Sequence, residues 1–129
     1  MDTTTQPDVP THQKRILLVE DDDALAGVYL VRLQAEGFDV RRVANGEDAL
    51  AAAISYKPDL VLLDVMMPEK DGIETCQDLR KVKELQKTLI VFLSARGEEF
   101  SQLAGYQAGA NDYVVKVIKP KILISKINA

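Results

Sequence analysis

Short apolar runs recur along this chain and are separated by longer segments of mixed polarity. The runs Ile16–Val19, Leu60–Leu63 and Leu89–Leu93 are continuous, which predicts strands buried on both faces of a sheet. Residues 38–43 instead alternate apolar and charged side chains, a pattern typical of a half-exposed edge strand. A shorter apolar stretch at 111–115 completes a set of five predicted strands.

Each predicted strand is followed by a segment with helical signals. The first helix is expected over 24–36, with Gly37 as its stop. Its apolar stripe comprises Leu25, Val28, Tyr29, Leu30 and Leu33. Asn45 and Asp71 are placed to cap the second and third helices. The other four helices are expected over 47–55, 72–83, 98–108 and 121–128.

Strands and helices therefore alternate five times. This alternation predicts an α/β fold, a doubly wound parallel sheet of five strands with five helices on its two faces. The polar residues 1–13 are expected to form a disordered tail, and residues 14–129 suffice for one domain with a substantial core. The chain stops where a linker to an output domain would start, so the sequence is consistent with either a trimmed fragment or a stand-alone domain.

Composition narrows the classes of function. The formal net charge of −4 argues against general electrostatic binding to nucleic acid or to an anionic membrane. The single cysteine, Cys76, excludes an internal disulfide and suits a reducing compartment. Without a signal-peptide pattern or an apolar run near the ~20 residues of a membrane span, we expect a soluble, cytoplasmic protein. The sequence also lacks the glycine-rich loops of nucleotide-binding enzymes.

Polar side chains follow the predicted strands. Glu20 and Asp21 come after the first strand, Asp64 after the third, Ser94 after the fourth and Lys116 after the fifth. Because the carboxyl ends of parallel strands share one edge of a sheet, we expect these groups to converge. Neighbouring carboxylates suit Mg²⁺, and a carboxylate can form an aspartyl-phosphate. Asp64 is therefore interpreted as a nucleophile for a phosphoryl group, whose charge the metal and Lys116 would neutralise.

Each of these residues also has a more ordinary explanation. Asp22 or Asp23 is expected to cap the first helix and to favour its dipole. Glu20 and Asp21 would also fit a solvated loop, and Asp64 alone would fit an ordinary acid at a strand end. Lys116 would fit a plain surface lysine, and Ser94 would fit a simple hydroxyl at a strand end. The convergence of all of them is what favours the chemical interpretation.

These residues resemble the receiver domain of two-component response regulators. The similarity covers residues 14–128 and is carried, in order, by the segments ILLVEDD, DLVLLDVMMPEKDG, FLSARG, GANDYVVK and KPKIL. The resemblance implies a flavodoxin-like sheet of order 2-1-3-4-5. The segment from SARGEEF to the end is most similar to receivers of OmpR/PhoB-type winged-helix DNA-binding regulators.

The resemblance implies a role for each matching residue. Asp64 matches the phosphorylated aspartate. Asp21, Asp64 and the backbone carbonyl of Met66 would bind Mg²⁺ directly, while Glu20 would act through a water molecule.

Further positions match the part of the family that senses the phosphoryl group. Ser94 matches a hydroxyl that turns toward that group, and Lys116 matches the lysine that pairs with it. Tyr113 matches the aromatic residue that rotates inward when the hydroxyl moves. Met66 and Arg96 occupy positions that tune dephosphorylation and thereby the lifetime of the signal.

One position departs from the family pattern. The family usually has a Lys-Pro pair with a cis bond after the fifth strand, whereas this chain has Lys116-Val117. A cis bond before a residue other than proline costs about 2.5–4 kcal/mol, so a trans bond and an altered loop are expected. Pro120 lies too late to replace the missing proline and fits the start of the last helix. An equal phosphorylation rate in Val117→Pro would show that the lysine is well placed.

The resemblance also implies partners. The donor would be a histidine kinase or a phosphotransfer protein, and DNA would be reached only through an output domain that this chain lacks. A homodimer would use the fourth helix, fifth strand and fifth helix, with Asp112 and Lys126 as one charged pair. Gln102 and Ile122 occupy positions where another pair would need charges, which weakens this expectation. No membrane partner is expected.

Two other functions compete with the phosphorylated switch. A Mg²⁺-dependent phosphohydrolase usually has a second acid two residues after its nucleophile, where this chain has Met66. An interaction module that no longer accepts phosphate would be consistent with Val117. The leading interpretation is a regulatory domain that assists its own phosphorylation and dephosphorylation, rather than an enzyme.

Overall fold

A computed structural model describes residues 13–65, 71–94, 106–115 and 127, and for residues 94 and 113–115 it describes the backbone alone. The strands are β1 (Arg15–Val19), β2 (Asp39–Val43), β3 (Leu60–Asp64), β4 (Leu89–Ser94) and β5 (Asp112–Val115). The helices are α1 (Asp23–Ala35), α2 (Gly46–Tyr56) and α3 (Gly72–Arg80), and a 3-10 helix covers Lys83–Leu85. Residues 106, 107 and 127 are also helical.

The strands form one parallel sheet in the order β2-β1-β3-β4-β5. The expected parallel α/β fold of flavodoxin type is confirmed, and β2 lies at an edge, as its alternating pattern predicts. Asp64 pairs with Leu93 and Ser94 pairs with Val115, so neighbouring strands end level with one another. Most of the fourth and fifth predicted helices, together with the predicted tail over 1–12, lies outside the described residues.

Side chains of the central strands alternate between two hydrophobic layers. From β1, Leu17 and Val19 enter one layer and Ile16 and Leu18 enter the other. The first layer is closed by α2 and α3, through Ala49, Ala53, Cys76 and Leu79. The second layer is closed by α1 and residue 127, through Ala26, Tyr29, Leu33 and Ile127. The sheet is therefore covered on both faces, which explains why its central strands are continuously apolar.

Local signals place the starts of the three described helices. The side chains of Asp22, Asn45 and Asp71 accept hydrogen bonds from the backbone N–H groups of Leu25, Asp48 and Glu74, at 3.0, 2.8 and 2.9 Å. These are the caps that the sequence predicts. After α1 the chain turns through Gly37, whose φ of 95° favours glycine. The acidic residues before α1 thus include its cap.

The end of α3 corrects one prediction. The helix was expected to reach residue 83 but ends at Arg80, with Lys81 as its C-cap. Val82 is extended, with φ −88° and ψ 121°, and a 3-10 helix follows. Leu85 is buried in the first hydrophobic layer. Burial of this leucine turns the chain away from the helix axis, which no local pattern in the sequence reveals.

The apolar face of α1 also differs from the prediction. Val28 was expected to widen the buried stripe, but it is 52% exposed. The buried positions are Ala26, Tyr29 and Leu33, with Leu25 and Leu30 partly buried beside them. The buried face is thus rotated away from Val28. Among the described residues, no helix combines the length and apolarity that a membrane span requires.

Candidate functional site at the carboxyl edge of the sheet

Asp64 is the last residue of the central strand. It is only 1% exposed, and its backbone is held by pairing with Leu93 on β4. The next residue continues this pairing, since the N–H of Val65 donates to the carbonyl of Leu93 at 3.1 Å. The carboxylate therefore sits on rigid backbone at the edge of the sheet. A buried carboxylate at such a place needs electrostatic compensation.

Glu20 and Asp21 follow β1, the neighbour of β3 in the sheet. Glu20 is fully buried, whereas Asp21 is exposed. The backbone N–H of Glu20 donates to the carbonyl of Val43 at 3.1 Å. One of its carboxylate oxygens accepts a hydrogen bond from the N–H of Asp22 at 3.2 Å. The interpretation of Glu20 as part of a solvated loop is therefore wrong.

The structure brings the three acids together. One carboxylate oxygen each from Glu20, Asp21 and Asp64 lies within 4.8 Å of the other two. Residues that are more than forty positions apart thus converge, as the parallel order of the strands predicts. Two ionised carboxylates 4 Å apart repel one another by roughly 4 kcal/mol at an effective dielectric constant of 20. A divalent cation would relieve this repulsion.

The donor set indicates which cation would fit. All three groups are carboxylates, and the cluster contains no histidine or cysteine. Zn²⁺ sites in proteins are built mainly from cysteine and histidine, whereas hard cations prefer oxygen ligands. Mg²⁺ commonly takes one or two carboxylates and completes its shell with water and phosphate oxygens. The residues present therefore fit Mg²⁺ together with a phosphate group.

Gly72, at the start of α3, lies directly against the strand that carries Asp64. Its N–H donates to the carbonyl of Val65 at 2.9 Å. A Cβ at this position would collide with the carbonyl oxygen of Asp64 and would lie 2.9 Å from the Cα of Val65. Only glycine permits this close approach. The approach holds the first turn of α3 against the end of β3.

Arg42 touches the acidic loop from the edge strand β2. Its guanidinium donates two hydrogen bonds to the carbonyl oxygen of Glu20 and forms an ion pair with Asp23 at 2.8 Å. In the sequence, Arg42 is only one of the charged residues in the alternating pattern over 38–43, and no local pattern distinguishes Gly72. The adjacency of β2 and β1 in the implied strand order is the signal that could have identified Arg42.

The structure describes only some of the remaining residues expected at the site. Ser94 ends β4, and its backbone lies beside Val115 of β5 at the same edge of the sheet as Asp64. Tyr113 is in β5, paired with Phe92. The side chains of both residues lie outside the described structure. The described residues also do not include Met66, Arg96, Lys116 and Val117, or Gln102, Ile122 and Lys126 of the expected dimer face.

Comparison with known proteins gives the family. Residues 16–128 match the family model described as the response regulator receiver domain. The chain is 39% identical over 116 residues to the alkaline phosphatase synthesis transcriptional regulatory protein PhoP of Bacillus subtilis, covering 90% of the chain and 48% of that relative. It is 40% identical over 119 residues to the DNA-binding response regulator MtrA of Mycolicibacterium smegmatis, covering 92% and 51%.

These relatives define the subgroup. The transcriptional regulatory protein ResD of Bacillus subtilis is 35% identical over 119 residues, which cover 92% of the chain and 48% of that protein. PhoP, MtrA and ResD are regulators of the OmpR/PhoB family, so the subgroup resemblance is confirmed. The chain spans about half the length of the curated relatives it matches.

Solved structures agree with this assignment. The BeF3-activated N-terminal receiver domain of Klebsiella pneumoniae RstA matches with a TM-score of 0.82 at 32% identity, covering 88% of this chain and 95% of that one. The chemotaxis protein CheY4 of Vibrio cholerae matches with a TM-score of 0.87 at 26% identity, covering 91% and 98%. Fold, acidic cluster and sequence similarity therefore agree, and the chain belongs to the receiver domain family of two-component response regulators.

Proposed function

We propose that this receiver domain accepts a phosphoryl group on the side chain of Asp64, from a histidine kinase or a phosphotransfer protein. The observation that carries the proposal is the cluster of Glu20, Asp21 and Asp64, whose carboxylate oxygens lie within 4.8 Å of one another. Asp64 ends the central strand, and its backbone is held there by pairing with Leu93 on β4. A nucleophile held in this way loses little freedom when it reacts.

The transfer is a substitution at phosphorus. A carboxylate oxygen of Asp64 attacks the phosphorus atom, and a new P–O bond forms while the bond to the leaving group breaks. From phosphohistidine, the leaving group is an imidazole nitrogen, which keeps the electron pair of the broken bond. The nucleophile enters with its charge already present, so it needs no general base. What the site must supply is orientation and positive charge.

The metal site follows from the same cluster. Asp21 and Asp64 would bind Mg²⁺ directly, Glu20 through a water molecule, and Met66 through its backbone carbonyl. The bound ion would supply positive charge to the phosphoryl oxygens. Burial of Glu20 and Asp64 keeps water from screening these interactions, which strengthens them.

The roles of the remaining site residues are proposed from their match to the receiver family. Lys116 directly follows β5 and would pair with the phosphoryl group. Ser94 would turn its hydroxyl toward that group, and Tyr113 would move inward in response, shifting a two-state surface. Met66 and Arg96 would set the lifetime of the phosphorylated state. The domain would thus act as a switch that assists its own phosphorylation and dephosphorylation.

The wider role is proposed from the relatives. Residues 14–129 would form the receiver domain, preceded by a disordered tail. MtrA is named as a DNA-binding response regulator, and this chain would reach DNA through an output domain that lies outside it. A homodimer through the region of β5 and its flanking helices would involve Asp112. The cytoplasm is the compartment that suits a kinase donor and the single buried cysteine.

Acetyl phosphate provides the test. Wild-type protein incubated with acetyl phosphate and Mg²⁺ should gain the mass of one phosphoryl group in intact-protein mass spectrometry, and a chelator should prevent this. Asp64→Asn should gain none. Asp48→Asn, which removes an exposed acid from the first turn of α2, should behave as the wild type does. Wild-type protein that stays unmodified with Mg²⁺ present would contradict the proposal.

Two further measurements, of Mg²⁺ affinity and of the turnover of a generic phosphate ester, separate the competing functions. A folded protein that neither binds Mg²⁺ nor gains phosphate would be an interaction module. Repeated hydrolysis of a generic phosphate ester, without a stable phosphorylated form, would indicate a phosphohydrolase. No observation on the described residues favours either alternative over the switch.

A further inference from the structure

Arg42 holds the loop that carries two of the three acids. Its Nε and Nη2 atoms donate to the carbonyl oxygen of Glu20 at 2.9 and 2.6 Å. Its Nη1 atom lies 2.8 Å from a carboxylate oxygen of Asp23. The planar guanidinium thus bridges the end of β1 and the start of α1. Lysine could not reproduce this forked geometry.

The ion pair with Asp23 and the hydrogen bonds to Glu20 differ in strength. Asp23 is 90% exposed, so its ion pair with Arg42 is screened by water and contributes little. The bonds to the Glu20 carbonyl are partly buried and involve a charged donor, which makes them the stronger contact. The neighbouring residue of β2, Val43, accepts the N–H of Glu20. Both backbone polar groups of Glu20 are therefore held by the end of β2.

Holding this carbonyl has a consequence for the next residue. The carbonyl of Glu20 and the N–H of Asp21 belong to one planar peptide unit. Fixing the oxygen therefore fixes the orientation of the unit from which both carboxylates project. We propose that Arg42 is a positioning residue of the metal site, because it orients the Glu20–Asp21 peptide so that both acids face Asp64. This inference rests on the Mg²⁺ site of the proposed function.

A positioning role and a simple charge effect predict opposite changes in Mg²⁺ affinity when Arg42 is removed. If Arg42 acted only as a positive charge near the cluster, it would repel Mg²⁺, and its removal would tighten binding. If it positions the loop, its removal leaves the acids free to move apart, and binding weakens. The direction of the change in Mg²⁺ affinity therefore decides between the two.

Calorimetric titration of the full chain with MgCl2 measures this direction. Replacing a residue that orients metal ligands typically weakens binding by tenfold or more, so Arg42→Ala should raise the Kd for Mg²⁺ about tenfold. Arg42→Lys, which keeps the charge but not the fork, should fall between Arg42→Ala and the wild type. An Arg42→Ala variant that binds Mg²⁺ as tightly as the wild type, or more tightly, would overturn the inference.

Arg41 supplies a matched control. It lies next to Arg42 on β2 and carries the same charge, but its guanidinium stacks over the ring of Tyr56 at 4.4 Å. Arg41→Ala thus loses the same charge without touching the acidic loop. Because long-range effects of surface charges are screened, its Kd should stay within about twofold of the wild type. Tenfold weaker binding in this control would show that the effect of Arg42→Ala does not depend on its contact with Glu20, and it would count against the positioning role.

Hydrogen exchange in the metal-free protein gives a second readout. In Arg42→Ala, the amide of Glu20 should exchange faster, while the amide of Val65, which bonds to Leu93 on β4, should keep its rate. Equal acceleration at both would indicate general destabilisation and count against a positioning role. If Arg42→Ala does not fold, Arg42→Gln removes the charged fork but keeps part of the stem, and the same comparisons apply. Wild-type protein without Mg²⁺ affinity would overturn the proposed function itself, a result distinct from equal affinity in the variants.

Discussion

Gly72 shows how one residue sets the geometry of the site. The backbone of α3 approaches the end of β3 so closely that a Cβ would meet the carbonyl of Asp64. The first turn of α3 is therefore held directly against the strand end that carries Asp64. Gly27, in the middle of α1, is a useful contrast, because a Cβ there would have nothing within 4 Å.

Alanine at these two glycines should have opposite effects. Gly72→Ala forces backbone apart and should lower the free energy of unfolding by about 1–3 kcal/mol, as overpacking does. Gly27→Ala should raise it by about 0.5–1 kcal/mol, because alanine favours the helix. Urea denaturation measures both. A Gly72→Ala protein as stable as the wild type would show that the approach of α3 to β3 is not tight.

Cys76 leads to a prediction about pH. Burial raises the pKa of this thiol from its ordinary 9.0 to about 11, and the nearby Arg80 opposes part of that increase. The unfolded chain therefore loses its thiol proton at lower pH than the folded chain does. The contribution of the protonated thiol to folding stability is therefore fully present below pH 9.0 and is lost as the pH rises toward about 11.

Replacing the thiol should remove this component. Between pH 8 and pH 11, wild-type stability should fall more steeply than that of Cys76→Ala, because the variant has no thiol to ionise. Tyr56, whose pKa burial raises to about 12, remains in both proteins and does not affect the comparison. Parallel curves of unfolding free energy against pH would contradict the assignment.

At the scale of elements, Arg80 joins the end of α3 to the starts of β4 and β5. Its guanidinium donates hydrogen bonds to oxygens of Leu85, Gln86, Thr88, Gly109 and Asn111. The amide oxygen of Asn111 also accepts the N–H of Ile90 at 2.8 Å. These contacts lie at the amino ends of the strands, away from the acids. Arg80 thus links α3 to the sheet at the end opposite the three acids.

Removing this arginine should therefore separate stability from metal binding. Arg80→Ala leaves several partly buried carbonyls without a donor and should cost about 2–4 kcal/mol of unfolding free energy. Arg32→Ala, at an exposed position near the end of α1, should change stability by about 0.5 kcal/mol or less. Neither variant should alter the Kd for Mg²⁺. A large loss of Mg²⁺ affinity in folded Arg80→Ala would show that the two ends of the sheet are coupled.

The elements also show what the sequence can and cannot predict. Strands and helix caps follow from neighbours in the sequence, so the apolar run before Asp64 and the caps Asn45 and Asp71 were correctly predicted. The end of α3 depends on the burial of Leu85, a contact made only in the folded state. The roles of Arg42 and Gly72 likewise depend on strands and helices that meet only after folding. Local patterns contain no signal for such contacts.

At the scale of the whole molecule, the order of the strands creates the site. β1 and β3 are neighbours in the sheet although α1, β2 and α2 separate them in sequence. Their carboxyl ends bring Glu20 and Asp21 to Asp64, and β2 supplies Arg42 from the other side of β1. The convergence was predictable because a parallel sheet places all these strand ends at one edge. The distances between the acids were not, since they depend on the register and on the loop after β1.

The central claim is that Asp64, among three neighbouring acids, receives the phosphoryl group. The most direct test is to phosphorylate the protein with acetyl phosphate and Mg²⁺, reduce the acyl phosphate with borohydride, and locate the resulting homoserine by peptide mass spectrometry. We predict that homoserine replaces Asp64 and that Asp21 stays unmodified. Reduction at Asp21, at Glu20 or at an acid outside the cluster, or no reduced residue in protein that has folded and bound Mg²⁺, would contradict the account.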